Sequence, residues 1–381
     1  MDNIPRIKRK HQLAVARGVI KNGHQRIVLR AQDGIAINID AAGGHIHRRQ
    51  QRRRILTEMT TQADIQQIRH DTTHTKQKPI LSAHSTPQSN NRTMNTPAYT
   101  GRFAPTPSGP LHLGSLVAAL GSYLDARAHG GRWLLRIEDV DSRRSRPAYI
   151  AAQMHTLRSH GLHHDGTVRV QSAHIADYLA ALDRLRPQLY PCECSRKHWH
   201  DGARMGALGS IYPGTCREKP LTSLTPTDAA IRLRLPDTTV TFHDRLLGDC
   251  RFSLADDIGD PVLRRRDGDI AYALAVVVDD ALQGVTDIVR GQDLVAATAI
   301  HLTLQSLLDL PQPRYLHLPL LLNPDGSKLS KQNHAPALND ATPTANLLAA
   351  LHHLGEDCTD YTTAMPPPLL LAEAARRWSR R

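Results

Sequence analysis

The chain has 381 residues, enough for two or three domains that each bury a core of their own. Its formal charge is +12, yet Lys and Arg outnumber Asp and Glu 17 to 6 before Met94 and only 31 to 30 from Met94 onward. Bulk electrostatics therefore exclude no partner and recommend none for the larger part, where local patches must supply any contact with a nucleic acid. No run approaches the ~18 apolar residues of a membrane span, and the basic start lacks the apolar stretch of a secretory signal. A cytoplasmic protein without membrane contact is expected.

Residues 1–93 are basic, rich in His and Gln, and end in the polar run His84-Ser-Thr-Pro-Gln-Ser-Asn-Asn-Arg. Such a segment buries little and reads as a disordered leader. No Ser precedes Ser82, which argues against a mitochondrial transit peptide. The abrupt change at Met94 predicts that Met94 is the native start; otherwise the leader is a basic arm that contacts RNA.

Residues 94–189 then show a regular alternation. A short apolar strand from Tyr99 to Ala104 leads through a Pro/Gly turn into Leu113, Leu116, Val117, Leu120 and Leu124, which share one helix face. Gly130-Gly131 ends that helix, and Trp133-Leu-Leu-Arg-Ile-Glu reads as a buried strand. Helical spacing returns at Ile150, Met154 and Leu157 and again at Ile175, Tyr178, Leu179 and Leu182, with Val168-Arg-Val strand-like between them. Residues 190–260 break the rhythm with cysteines, glycines and alternating runs such as Ile231-Arg-Leu-Arg-Leu, and are expected to be an insertion. The pattern resumes over 261–338 with Ile270 to Val278, Val285 to Val289, a helix from Gln292 to Leu308, and Tyr315 to Leu322; residues 339–381 are left for a short helical tail. Strands alternating with helices predict an α/β fold, a Rossmann-type doubly wound parallel sheet.

Two segments carry chemistry. Arg102-Phe-Ala-Pro-Thr-Pro-Ser-Gly-Pro-Leu-His-Leu-Gly places His112 and Gly114 at a helix start, where free N–H groups and the helix dipole attract phosphate. Gly114 allows close approach of a nucleoside, and His112 can donate to a phosphate oxygen. Far downstream, Asn323-Pro-Asp-Gly-Ser-Lys-Leu-Ser-Lys-Gln-Asn forms a polar loop after an apolar strand. Its Lys328 and Lys331 can neutralise charge that develops as pyrophosphate leaves. Cys192, Cys194 and Cys216 cluster in a chain of five cysteines, a pattern of metal binding rather than of a disulfide framework. Three thiolates need a fourth ligand for tetrahedral zinc, and by chemistry alone His198 or His200 is the better donor. Cys250 and Cys358 have no such company.

The run Pro105-x-Pro-Ser-Gly-x-Leu-His-Leu-Gly followed by Lys328-Leu-Ser-Lys resembles the two ATP motifs of class I aminoacyl-tRNA synthetases, in their glutamyl branch. The resemblance covers roughly 100–338 and includes Leu135-Arg-Ile-Glu-Asp-Val-Asp, Ala275-Val-Val-Val-Asp-Asp and Gly284-Val-Thr-Asp-Ile-Val-Arg-Gly. Where the family usually ends its first motif in Ile-Gly, this chain has Leu113-Gly114. The resemblance implies an ATP site of Pro105, His112, Gly114, Lys328, Ser330 and Lys331, with ATP as substrate alongside Mg2+. It implies an amino-acid site of Arg102, Phe103, Ala104, Pro105, Thr106, Glu138, Tyr272 and Arg290. That set suits L-glutamate, since Arg102 and Arg290 at strand ends can each form charge-assisted bonds to a carboxylate, single or bidentate, and Glu138 can hold the ammonium. It also points to Tyr212 as the fourth ligand of a structural zinc that would pin the insertion.

Relatives that charge tRNA 3′ ends continue far beyond the lysine loop into an anticodon-reading domain, whereas here 50 residues follow Lys331. The chain thus resembles the branch that attaches glutamate to queuosine in the anticodon of tRNA(Asp), and a monomer is expected. The competing readings are a shortened glutamyl enzyme that charges a 3′ end and an inactive RNA-binding paralogue, which the intact His112, Glu138, Arg290 and Lys331 disfavour.

Overall fold

The computed structural model describes residues 25–30, 36–41, 98–195, 199, 203–225, 228–321 and 336–378. The chain divides into two units, residues 1–88 and 89–381. In the first, β1 (Gln25–Arg30) pairs antiparallel with β2 (Ala36–Ala41), in register from Gln25 opposite Ala41 to Arg30 opposite Ala36. This ladder lies within the segment whose composition predicts no regular structure.

The second unit opens with β3 (Thr100–Phe103), α1 (Leu113–Ala128), β4 (Arg132–Ile137), α2 (Pro147–Ser159), β5 (Arg169–Val170) and α3 (Ile175–Arg184). The strands run parallel, β4 between β3 and β5. Helix α1 starts where His112 caps it, its Nδ1 accepting the Ser115 N–H at 3.2 Å. It ends at Gly130, which adopts φ +61°, a conformation that costs glycine little. Residues 133–137 of β4 are all buried because both faces are covered. Trp133, Leu135 and Ile137 enter one core, with α1, Leu157 of α2 and the C-terminal helices, while Arg136 lies on the opposite face.

Strand β6 (Leu189–Cys192), the short pair β7 (Met205–Gly206) and β8 (Gly209–Ser210), and β9 (Ala230–Leu233) follow. Next come β10 (Thr239–Asp244), β11 (Gly248–Ser253) and β12 (Val262–Arg264). Strands β6, β9 and β12 make an antiparallel sheet of their own in the order β12-β9-β6. Strands β10 and β11 do otherwise: they form a hairpin that joins the parallel sheet. Its half-buried Val240 and Phe242 pack against Val285, Ile288, Leu302 and Tyr315, while Thr239, Thr241 and His243 alternate outward. The segment expected as one insertion therefore contributes to both larger sheets besides its own β7–β8 pair.

The last elements are α4 (Tyr272–Leu282), β13 (Asp287–Gly291), α5 (Val295–Leu307), β14 (Arg314–Leu318), α6 (Pro343–His353) and α7 (Pro367–Trp378). Strand β14 lies between β13 and β10, parallel to both. Strand β13 lies alongside β3, where the Thr286 N–H donates to Thr100 O at 2.9 Å and the Thr100 N–H donates to Thr286 Oγ1 at 2.8 Å. Helices cover both faces: α1, α6 and α7 share one core, and α3, α4 and α5 share another. The sheet is thus doubly wound, as expected. The tail is two helices, anchored where Trp378 Nε1 donates to buried Asp125 at 3.0 Å. Among the described residues, no helix is long and apolar enough to cross a membrane.

Candidate active site

A cavity of about 270 Å³ opens at the carboxyl ends of β3, β4, β13 and β14, the end at which α/β sheets expose their loops. Its wall brings together Arg102, Phe103 and Ala104 from β3 and the turn after it, Glu138 just past β4, Tyr272 at the start of α4, and Arg290 on β13. His112 and Gly114, at the start of α1, line the same space. Residues separated by 188 positions in the chain thus face one another. Pro105 and Thr106 do not join the wall: the Pro105 carbonyl accepts the Glu138 N–H at 3.0 Å, and the Thr106 carbonyl accepts Gln153 Nε2 at 3.1 Å, so both brace the turn. Lys328, Ser330 and Lys331 lie outside the described residues.

Charge in the pocket is arranged by buried ion pairs. Asp280 on α4 accepts Arg102 Nε at 3.0 Å and Arg136 Nη1 at 2.7 Å through the same oxygen. Arg136, wholly buried, also donates to Gln283 at 2.9 Å and to Glu138 Oε1 at 3.2 Å. Neighbouring Asp279 accepts Arg169 Nε at 2.6 Å, Gln171 at 2.8 Å and the Tyr178 hydroxyl. Ions removed from water are tolerated only when matched in this way. Asp280 leaves the terminal nitrogens of Arg102 without a described acceptor, an open edge suited to a carboxylate. Burial pushes the Glu138 carboxyl up to about 7, despite the nearby charges of Arg136 and Arg102. Burial likewise raises the Tyr272 phenol, so that its hydroxyl is neutral and can donate.

Arg290 is held differently. Its Nε donates to His317 Nε2 at 3.1 Å, Nη1 lies 3.1 Å from His301 Nδ1, and Nη2 donates to Thr298 Oγ1 at 2.7 Å and to the Leu294 carbonyl at 3.2 Å. These acceptors engage four of its five N–H bonds, so one hydrogen on Nη1 remains and a bidentate contact is not open to it. Among the described residues, no carboxylate comes within ion-pair distance of Arg290. Burial, reinforced by the charge of Arg290, keeps His301 well below the ordinary histidine range, and burial also lowers His317. Both imidazoles are therefore neutral, and the guanidinium presents a fixed, uncompensated positive charge to the cavity.

At the helix end of the pocket, His112 Nδ1 is occupied by the Ser115 N–H. A neutral ring then carries its proton on Nε2, the atom that can donate to an oxygen.

Away from the cavity, the sulfurs of Cys192, Cys194 and Cys216 lie within 4.8 Å of one another. The Cys194 sulfur is 3.4 Å from the Tyr212 hydroxyl and 3.5 Å from that of Cys216. Tyr212 is braced by Trp199, edge-on at 5.4 Å between ring centres, and by the Arg232 guanidinium 3.9 Å over its ring. Zinc–thiolate bonds of about 2.3 Å place tetrahedral sulfurs roughly 3.8 Å apart, so this donor set fits a zinc ion. His198 and His200 lie outside the described residues.

Sequence reading by residue chemistry missed the supporting groups. Asp279 and Asp280 end an apolar run and could have been suspected, since two acids inside such a run must be paired. Nothing local marks Asp244, His301 or His317.

A model of the family described as tRNA synthetases class I (E and Q), catalytic domain, matches residues 99–342. Fold and cavity thus define a class I tRNA-synthetase catalytic domain of the glutamate and glutamine type. Glutamyl-Q tRNA(Asp) synthetase of Ectopseudomonas mendocina is 50% identical over 288 residues, covering 75% of this chain and 94% of the relative. The protein of that name from Neisseria meningitidis serogroup B is 52% identical over 246 residues, covering 63% and 83%. The chain belongs to the glutamyl-Q tRNA(Asp) synthetase family. Among solved structures, a glutamate tRNA ligase from Elizabethkingia meningosepticum in complex with its amino acid aligns with a TM-score of 0.59 at 24% identity, over 73% of this chain and 64% of that one. At that identity the likeness establishes the fold alone.

Proposed function

We propose that the chain activates L-glutamate with ATP, without needing tRNA for that step, and transfers the glutamyl group to the queuosine base of tRNA(Asp). The observation that carries the reading is the meeting of Arg102, Glu138, Tyr272 and Arg290 with His112 in one cavity. Two cations and one acid suit a diacid that bears a single ammonium. Arg102, with its open edge, takes one carboxylate; Arg290 fixes the other through charge and one N–H; Glu138 holds the ammonium.

Activation then needs no protein nucleophile. An oxygen of the glutamate α-carboxylate attacks the α-phosphorus of ATP, the bond to the bridging oxygen breaks, and pyrophosphate leaves. His112 Nε2–H and the α1 N-terminus stabilise phosphate charge at one end, with Gly114 against the nucleoside. Lys328 and Lys331 neutralise the leaving group, Ser330 contributes to the same ATP site, and Mg2+ arriving with ATP would share that charge. In the second step a nucleophile of the acceptor base attacks the acyl carbon and AMP departs. Cys192, Cys194, Cys216 and Tyr212 would hold zinc, whose contribution is structural: it ties β6 to the segment before β9.

Exchange of labelled pyrophosphate into ATP, dependent on glutamate and independent of tRNA, tests the first step. Labelled glutamate should appear on tRNA(Asp) from cells that make queuosine and not on the same tRNA from cells that lack it. Labelling of tRNA(Glu) instead would overturn the acceptor assignment.

A further inference from the structure

We propose that Asp244 and His317 are positioning residues that aim the guanidinium of Arg290 into the cavity, an inference that rests on reading Arg290 as a carboxylate-binding group. Three adjacent strands each supply one member: Asp244 ends β10, His317 lies on β14, and Arg290 lies on β13 directly opposite His317 in the ladder. Asp244 and His317 are both wholly buried. His317 Nδ1 lies 2.7 Å from Asp244 Oδ2, and the His317 backbone N–H donates to the same oxygen at 3.1 Å. A carboxylate can only accept, so it pins the proton on Nδ1 and leaves the lone pair of Nε2 for Arg290 Nε–H at 3.1 Å. The other tautomer would set N–H against N–H. Tyr315 stacks on His317 with ring centres 5.9 Å apart and rings 3° from parallel, and its face also lies 5.4 Å from the Arg290 guanidinium.

The relay uses a neutral acceptor where a carboxylate would be the common partner of a buried arginine. A direct acid would cancel the charge of Arg290; an imidazole orients it and leaves its charge for the ligand. Because Asp244 also accepts the N–H groups of Leu246 and Leu247, which shape the hairpin turn, the informative substitutions are at His317.

The test is pyrophosphate exchange by the full chain. H317F keeps a ring beside Tyr315 but offers Arg290 no lone pair; it should raise the KM for glutamate about tenfold or more and leave the KM for ATP within about twofold. H317Q, which places an amide oxygen near the position of Nε2, should recover most of that loss. A glutamate KM in H317F within twofold of wild type, or an equal rise in both constants, overturns the inference. Should H317F fail to fold, 15N NMR of the histidine-labelled wild-type chain decides: a buried neutral ring protonated on Nδ1 should shift when glutamate is added, and an imidazolium, the other tautomer, or no response overturns the assignment. Wild-type protein that exchanges pyrophosphate with ATP but not in response to glutamate defeats the functional reading itself, and the inference with it.

Discussion

Arg136 on β4 and Glu138 just past its end, two residues apart, form an ion pair of 3.2 Å in which the arginine is wholly buried and the acid reaches the cavity. The pair makes a cavity-facing carboxylate part of the sheet's interior, and its titration follows from that.

With its carboxyl raised to about 7 by burial, Glu138 is half protonated near neutrality when the pocket is empty. If Glu138 holds the ammonium as proposed, only its ionised form can do so, and glutamate binding should weaken as pH falls. Between pH 8 and pH 6 the KM for glutamate should rise about tenfold, while the KM for ATP changes little. E138Q should bind glutamate poorly at every pH and show no such slope; a slope that persists in E138Q would assign it to another group.

The same shift has a stability consequence of opposite sense. A carboxyl whose pKa is higher folded than unfolded binds more protons in the native state, so its contribution is full at low pH and is lost as pH rises through about 7. Ligand-free E138Q should therefore melt no lower than wild type at pH 8, although it is impaired in exchange. A lower Tm would show that the charged pair with Arg136 stabilises the fold.

Asp280 accepts from both Arg102 and Arg136. D280N leaves two buried guanidiniums short of an anion, which should cost roughly 3–5 kcal/mol of folding free energy. Urea titration should report it as a lower midpoint with an unchanged slope.

Arg290 engages a histidine, a second histidine, a threonine and a carbonyl at once. A lysine has the charge but not the planar fork. R290K should raise the glutamate KM about tenfold in pyrophosphate exchange, since the ammonium keeps the charge but loses the one aimed N–H and the fork that holds it in place, with the ATP KM near wild type.

If zinc joins the cysteine cluster, chelation or C216A should loosen the sheet of β6, β9 and β12 and spare the parallel one. Elemental analysis should find one zinc per wild-type chain and less in C216A. Amide hydrogen exchange should quicken in 189–192 and 230–233 while 100–103 and 132–137 stay protected; uniform quickening would mean that the cluster serves the whole fold.

Much of this was legible because it is local. The 3.6-residue spacing of Leu113, Leu116, Leu120 and Leu124 and the Gly130 stop define α1, and residues 133–137 define a strand covered on both sides. The close spacing of Cys192 and Cys194, with Cys216 not far beyond, announces a metal-type cluster. Arg102, Glu138 and Arg290 could be suspected because each stands at a strand end with charge that needs a partner. Other features answer to no local rule. Hairpin β10–β11 reads as part of the insertion, and only the packing of Val240 and Phe242 beside Tyr315 brings it to the sheet edge. Asp244, His317 and Arg290 are spread over 73 residues of chain, and they meet because three strands were set side by side in one register. Which neutral ring orients which cation is decided there, since the cost of burying a polar group is settled by the partner that arrives through tertiary pairing and not by its neighbours in sequence.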